Sequence, residues 1–224
     1  MSANQPQAWS TRDDVMLQIA HAIIWQAQCS VYGGFVRDWL LLGNSANDID
    51  VNICSPQMTV DNIAAILQGV LKQQPSLQLV LADKGAKGAA HCLQISAPFL
   101  KKAIEIDLVD PTKVHVTPPG VDTDVGNVMV SMDGLQKKYQ YADGGHIPLE
   151  KAIRHALKKE FVFFYDTSKH DASVTRRLRK YLDRQWTCIS PIAESCLSQL
   201  SNSQRSLIHP KSKYQIAWWM NASG

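Results

Sequence analysis

The residues of this 224-residue chain whose types and spacing suit chemistry are Gly33, Gly34, Asp48 and Asp50. Two adjacent glycines, lacking Cβ atoms, allow a tight turn and a close backbone approach to a ligand. They lead into Phe35-Val-Arg37-Asp38, where the start of a helix would offer free N–H groups and a positive dipole end to an anion. In Asp48-Ile-Asp50-Val51, a strand would point both carboxylates to one face and Ile49 and Val51 to the other. Paired carboxylates beside a phosphate cradle suit Mg²⁺ (or Mn²⁺), which takes oxygen ligands and commonly shares its shell with substrate phosphates. Ile104-Glu105-Ile106-Asp107-Leu108 adds a second such pair. If its strand neighbours that of Asp48 and Asp50, three carboxylates converge as in two-metal phosphoryl transfer, with ions roughly 3.5–4 Å apart. Asp107, deeper in its strand, is favoured as the third ligand, with Glu105 as the alternative. Asp48, Asp50 and Asp107 are thus the candidate catalytic and metal-binding residues.

The elements that must position them follow from periodicity. Ser10-Thr-Arg-Asp13 reads as a capping box, and Val15, Ile19, Ile23 and Ala27 continue as a helical stripe to about Gln28. A β-prone run, Cys29-Ser-Val-Tyr32, enters the diglycine, and Phe35–Leu42 reads as a short buried helix stopped at Gly43. Strands are expected at 48–53, 76–83, 90–96, 103–109 and 125–131, and a helix at 60–72. Lys84-Gly-Ala-Lys-Gly88 lacks the order of a phosphate loop and reads as a hairpin turn. Helices are expected at 149–164 and 173–186, with another beginning near Pro191. His91 and His115 read as ordinary strand residues, and Trp218-Trp219 as a packing anchor. The fold class is α+β, a mixed sheet flanked by helices with a helical C-terminal segment. Residues 1–145 form the expected core and 146–224 a basic helical extension.

Composition narrows the setting. Hydrophobic residues at 45% and charged residues at 19% describe a globular chain rather than a disordered one. No apolar run approaches the roughly 18–20 residues of a membrane span, and the polar start carries no signal-like stretch. Five cysteines without a CxxC pair argue for a reduced, cytoplasmic setting over a disulfide scaffold. Residues 150–186 carry ten Lys/Arg against five Asp/Glu, a net +5, whereas the remainder holds 13 bases and 15 acids, a net −2. In that basic stretch Leu178 and Leu182 can pack inward, leaving Arg176, Arg179, Lys180 and Arg184 as candidate contacts to an anionic partner such as RNA. A solvated helix face is the plainer alternative.

The strand, diglycine turn, helix and Asp-x-Asp order resembles the nucleotidyltransferase superfamily that includes DNA polymerase beta. More narrowly, Gly33-Gly-Phe-Val-Arg-Asp38 with Asp48-Ile-Asp50 resembles the head domain of tRNA CCA-adding enzymes and bacterial-type poly(A) polymerases. The resemblance covers residues 28–54 well and 104–130 loosely. It implies that Gly33 and Gly34 hold a triphosphate, that Asp48 and Asp50 bind metal, and that Arg37 and Asp38 shape the nucleotide site. Those enzymes continue with Arg-Arg-Asp-Phe-Thr-x-Asn-Ala, where this chain has Asp122-Thr-Asp124-Val-Gly-Asn127-Val. By the resemblance Asn127 and Asp124 correspond to the asparagine and aspartate of that stretch, Asn127 as a nucleotide-binding residue, but the arginine pair and the base-reading Glu-Asp-x-x-Arg element are missing. The expected activity is transfer of NMP from an NTP to an acceptor hydroxyl, an RNA or tRNA 3′ end among the candidates. An inactive nucleotide-sensing or scaffold module of the same fold is the alternative.

Overall fold

The computed structural model describes residues 9–87, 90–110, 121–139, 147–164 and 172–211. Two compact units divide the chain, Met1–His115 with Met129–Leu135, and Val116–Val128 with Gln136–Gly224. Gly144-Gly145, His115 and Trp218-Trp219 lie outside the described residues.

In the first unit, helix α1 (Arg12–His21) starts one residue later than the sequence suggests. Thr11 is its N-cap and Asp14 the reciprocal partner, the Asp14 carboxylate accepting from the Ser10 and Thr11 amides at 2.8 Å each. These bonds, the Ser10 amide foremost, hold Asp14 below the usual carboxylate range. A π-helical turn, Ala22–Gln26, extends α1, and β1 (Ser30–Tyr32) follows. Phe35–Leu41 is a second π-helical segment, ended by Gly43 at φ +66°. Then come β2 (Asp48–Asn52) and α2 (Val60–Leu71), capped by Thr59 and Asn62. Pro75–Leu77 forms a 3-10 turn where a strand was expected, because proline opens the turn and Gln78 closes it at φ +50°. Strand β3 (Val80–Lys87) therefore begins later and runs through the expected hairpin turn. Its register shifts between Asp83 and Ala86, where Gly85 takes φ +74°, the conformation a bulge asks of glycine. Strands β4 (Ala90–Ser96) and β5 (Ile104–Val109) match the sequence pattern, whereas β6 (Val128–Ser131) is shorter than expected and β7 (Gly134–Lys137) completes a hairpin.

The seven strands run β3-β4-β5-β2-β1-β6-β7. β2 and β5 are parallel, while β1–β2, β1–β6, β3–β4 and β4–β5 are antiparallel. One face is continuous hydrocarbon: Val31, Ile49, Val51, Leu93, Ile95, Ile104, Ile106 and Leu108 are all buried. Val15, Met16, Ile19 and Ile23 from α1 and its extension, and Ile63, Leu67, Val70 and Leu71 from α2, are buried with them. Burial of side chains this size contributes about 1.5–3 kcal/mol each. It also fixes register, because a one-residue slip would turn the whole set outward.

The second unit contains α3 (Leu149–Leu157), β8 (Glu160–Phe161), α4 (Ala172–Leu182), β9 (Thr187–Cys188), α5 (Glu194–Leu197) and α6 (Asn202–Arg205). The helix expected over 149–164 stops at 157, since Lys159 turns left-handed at φ +52° and Phe161-Val-Phe-Phe164 is a buried β-prone run. Likewise the helix expected from about Pro191 begins only at Glu194. Phe161 stacks on Tyr181 at 4.7 Å and meets Phe163 edge-on, while Tyr181 meets Trp186 edge-on.

Candidate active site

The carboxylates gather because β2 and β5 lie side by side in register. Asp48 pairs with Glu105 and Asp50 with Asp107. Paired residues on neighbouring strands face the same way, so all four acids share the sheet face opposite the hydrocarbon one. Cys92 on β4 pairs with Asp107 from the other side. The donor atoms of Cys92, Glu105 and Asp107 all lie within 4.8 Å of one another. Among the described residues that is the grouping with metal-ligand proximity, and Asp48 and Asp50 stand outside it on the adjacent strand. Glu105 and Asp107 are therefore both in the cluster.

The diglycine faces the aspartates of β2. Gly33 has φ +71°, and a Cβ on it would fall 2.6 Å from Asp50 Oδ2, closer than any side chain tolerates. A Cβ on Gly34 would lie 3.7 Å from Asp48 Oδ1, 3.8 Å from Arg37 Nη2 and 3.9 Å from Asp38 Oδ2. The missing Cβ at Gly33 thus admits the Asp50 carboxylate, while Gly34 keeps ordinary contact distances to Asp48, Arg37 and Asp38. Arg37, 3% exposed, grips Asp38 with two parallel bonds, Nε to Oδ1 at 2.7 Å and Nη2 to Oδ2 at 2.5 Å. Bidentate geometry of this kind orients both partners as well as binding them. The segment after the turn is only seven residues long and π-helical, so the backbone at Gly33 and Gly34, more than a long helix dipole, supplies any polar approach.

Other candidate residues belong to the second unit. Asn127 is buried, its amide donating to the Tyr139 carbonyl at 2.9 Å and accepting from the Tyr139 N–H at 2.8 Å. Arg176, Arg179 and Lys180 are exposed on α4, with Arg184 just beyond it, while Leu178 and Leu182 are buried. Arg179 also donates to the Gln199 carbonyl, and Arg177 pairs with Asp122.

Sequence reading missed three features. Arg12 donates through Nη2 to the Asn47 carbonyl at 2.5 Å, one residue before Asp48. Cys92 carried no motif at all. Asp124, 1% exposed, meets His155 Nδ1 at 2.5 Å and accepts from the Val162 amide at 2.8 Å. Burial pushes the Asp124 carboxyl up, and the His155 ring and the amide oppose that only in part. Nothing local marks Arg12 or the Asp124–His155 pair, since the partners lie 35 and 31 positions apart. Elsewhere in the first unit a cavity of about 270 Å³ lined by Leu71, Pro75 and Leu81 holds none of the candidate residues. Among the described residues, no helix is long and apolar enough to cross a membrane.

No family model matches the sequence, and no curated protein matches it. Solved structures do, and those compared are CCA-adding or tRNA-processing enzymes, the group already named from the diglycine and Asp-x-Asp elements. A CCA-adding enzyme in complex with CTP aligns at TM-score 0.46 and 18% identity over 80% of this chain and 39% of its own. The Bacillus stearothermophilus CCA-adding enzyme in complex with CTP gives 0.47 and 14%, covering 85% and 44%. The Thermotoga maritima CCA-adding enzyme complexed with tRNA gives 0.42 and 18%, covering 90% and 42%. The chain spans less than half the length of each of these proteins.

Proposed function

We propose that the chain is a divalent-cation-dependent nucleotidyltransferase, moving NMP from an NTP to an acceptor hydroxyl as the α–β phosphoanhydride bond breaks and pyrophosphate leaves, with RNA as the acceptor class. The observation that carries this reading is the in-register pairing of β2 with β5, which sets Asp48, Asp50, Glu105 and Asp107 on one sheet face while Asp50 Oδ2 occupies the place a Cβ on Gly33 would take.

The residues fit Mg²⁺ or Mn²⁺: the donors are hard carboxylate oxygens, and the glycine position is one that a Cβ would occlude. Asp48, Asp50 and Asp107 would hold the ion. When bound, it supplies positive charge to the triphosphate and lowers the pKa of a coordinated hydroxyl. Gly34, where a Cβ would stand no closer than 3.7 Å to Asp48, Arg37 or Asp38, leaves room for a phosphate to approach the main chain, and Gly33 admits the Asp50 carboxylate beside it. Arg37, tied to Asp38, holds the turn in shape. Glu105 or Asp107, with its carboxylate on the same face, accepts the acceptor proton. Arg176, Arg179, Lys180 and Arg184 offer a basic row to an RNA backbone.

A nucleotide-binding module without transfer is the second reading, favoured by the position of Asp48 and Asp50 outside the tight Cys92–Glu105–Asp107 group. Incubation with Mg²⁺ and each labelled NTP, with and without total RNA, separates the two. Label transfer that disappears in Asp48→Ala/Asp50→Ala establishes the transferase. Saturable NTP binding with no transfer to any acceptor establishes the module instead.

A further inference from the structure

Arg12 lies on the first turn of α1, remote in sequence from every motif, yet its guanidinium ends at the peptide that introduces Asp48. The bond from Nη2 to the Asn47 carbonyl joins the helix to the entry of β2 across 35 positions. Its other amino group, Nη1, is buried and makes no hydrogen bond among the described residues. A buried, unbonded donor is a standing cost, and in native structures such a group calls for an explanation beyond packing. Asp13 and Asp48 are the acids whose charges act on Arg12. Asp48 in turn stands within reach of the Gly34 space that Arg37 and Asp38 also border.

We infer that Arg12 is a positioning residue for Asp48: it fixes the Asn47–Asp48 peptide, so that the first carboxylate of the site is held in front of the diglycine. This rests on the proposed cation site and extends it to a residue outside the diglycine and Asp-x-Asp elements. Arginine suits the task because its planar fork fixes direction, which the single rotating ammonium of lysine does less well.

The idea has a consequence that charge alone reverses. Removing a cation whose charge acts on Asp48 should, on electrostatics, tighten divalent-ion binding. Loss of positioning should weaken it. The test is Mn²⁺ affinity of the full chain, read from the electron paramagnetic resonance signal of free Mn²⁺, for wild type, Arg12→Gln, Arg12→Lys, Thr11→Ala and Asp48→Asn, with thermal midpoints recorded for each. The expected result is affinity weakened roughly 10-fold in Arg12→Gln, the lower end for a group that orients a metal ligand, with recovery toward wild type in Arg12→Lys. Thr11→Ala, which loosens the same helix end without touching the guanidinium, should leave affinity unchanged. An Arg12→Gln chain that binds Mn²⁺ equally or more tightly overturns the inference, as does equal weakening by Thr11→Ala. If wild type shows no saturable site that Asp48→Asn abolishes, the proposed cation site falls as well, and the two failures are thereby distinguished.

Discussion

The two units use polar side chains in opposite ways. In the first, acids stand on a half-exposed sheet face: Asp48, Asp50, Glu105 and Asp107 are displayed side by side against a glycine turn. In the second, several buried polar groups are committed to structure. Asp124 is committed to His155 and the Val162 amide, Asn127 to both backbone groups of Tyr139, and Thr123 to the Tyr181 hydroxyl at 2.9 Å. A cluster of like charges left open to solvent stabilises nothing by itself and is sustained by the hydrocarbon face behind it. A satisfied buried network does the reverse, rigidifying its unit at the expense of ligand-binding capacity. The contrast makes the first unit the place to test for chemistry and, among the described residues of the second, the exposed basic row of α4 the place to test for a partner.

Five experiments can break or sharpen that contrast. The largest effect belongs to Asp48→Asn/Asp50→Asn: loss of the site's charge should remove several kcal/mol of transition-state stabilisation, roughly a 10³-fold fall in transfer rate, with little change in thermal midpoint. A matching loss of stability would make these acids structural. In the second unit, Phe161→Ala, which empties the centre of the stacked cluster, should cost about 3–5 kcal/mol in urea unfolding, while Mn²⁺ affinity of the folded protein stays put. Gly33→Ala comes next. The left-handed φ alone costs about 1–2 kcal/mol, and the new methyl must displace the Asp50 carboxylate, so cation affinity should drop even where the protein remains folded.

The smallest effect is at the start of α1, where Thr11→Ala should cost about 1 kcal/mol. Asp14 adds a pH signature. Its carboxyl is held below its ordinary value by the Ser10 and Thr11 bonds, so its contribution is present above the unfolded-state pKa and is lost as pH falls through the folded value. Denaturant midpoints of wild type and Asp14→Asn should differ at pH 6 and converge in the acid range. A constant gap at all pH values would assign the difference to shape alone.

The sequence spoke most clearly where structure is local. The alternation of β2 and of β5 and the stop at Gly43 all follow from near neighbours, and each is found as read. The in-register pairing of Asp50 with Asp107 could be posed only as a condition, because strand adjacency depends on segments more than 50 residues apart. The helix expected over 149–164 failed at Lys159, whose left-handed backbone and buried aromatic successors form a strand with β9. There, tertiary burial overrode a basic, helix-like composition. Arg12, Cys92 and the Asp124–His155 pair were invisible for the same reason, since each acquires meaning only from a distant partner. The segment 121–128, read with the core, joins the second unit through Asp124, Thr123 and Asn127.

The central claim is that a diglycine bend and a row of carboxylates on adjoining strands jointly hold a divalent ion and a polyphosphate. Crystals grown with Mn²⁺ and a non-hydrolysable NTP test it most directly, through anomalous scattering from the ion. The account predicts a Mn²⁺ peak bonded to oxygens of Asp48, Asp50 and Asp107, with the triphosphate lying over Gly33 and Gly34. A peak held only by Cys92 and Glu105, or a triphosphate bound away from the bend, would contradict it.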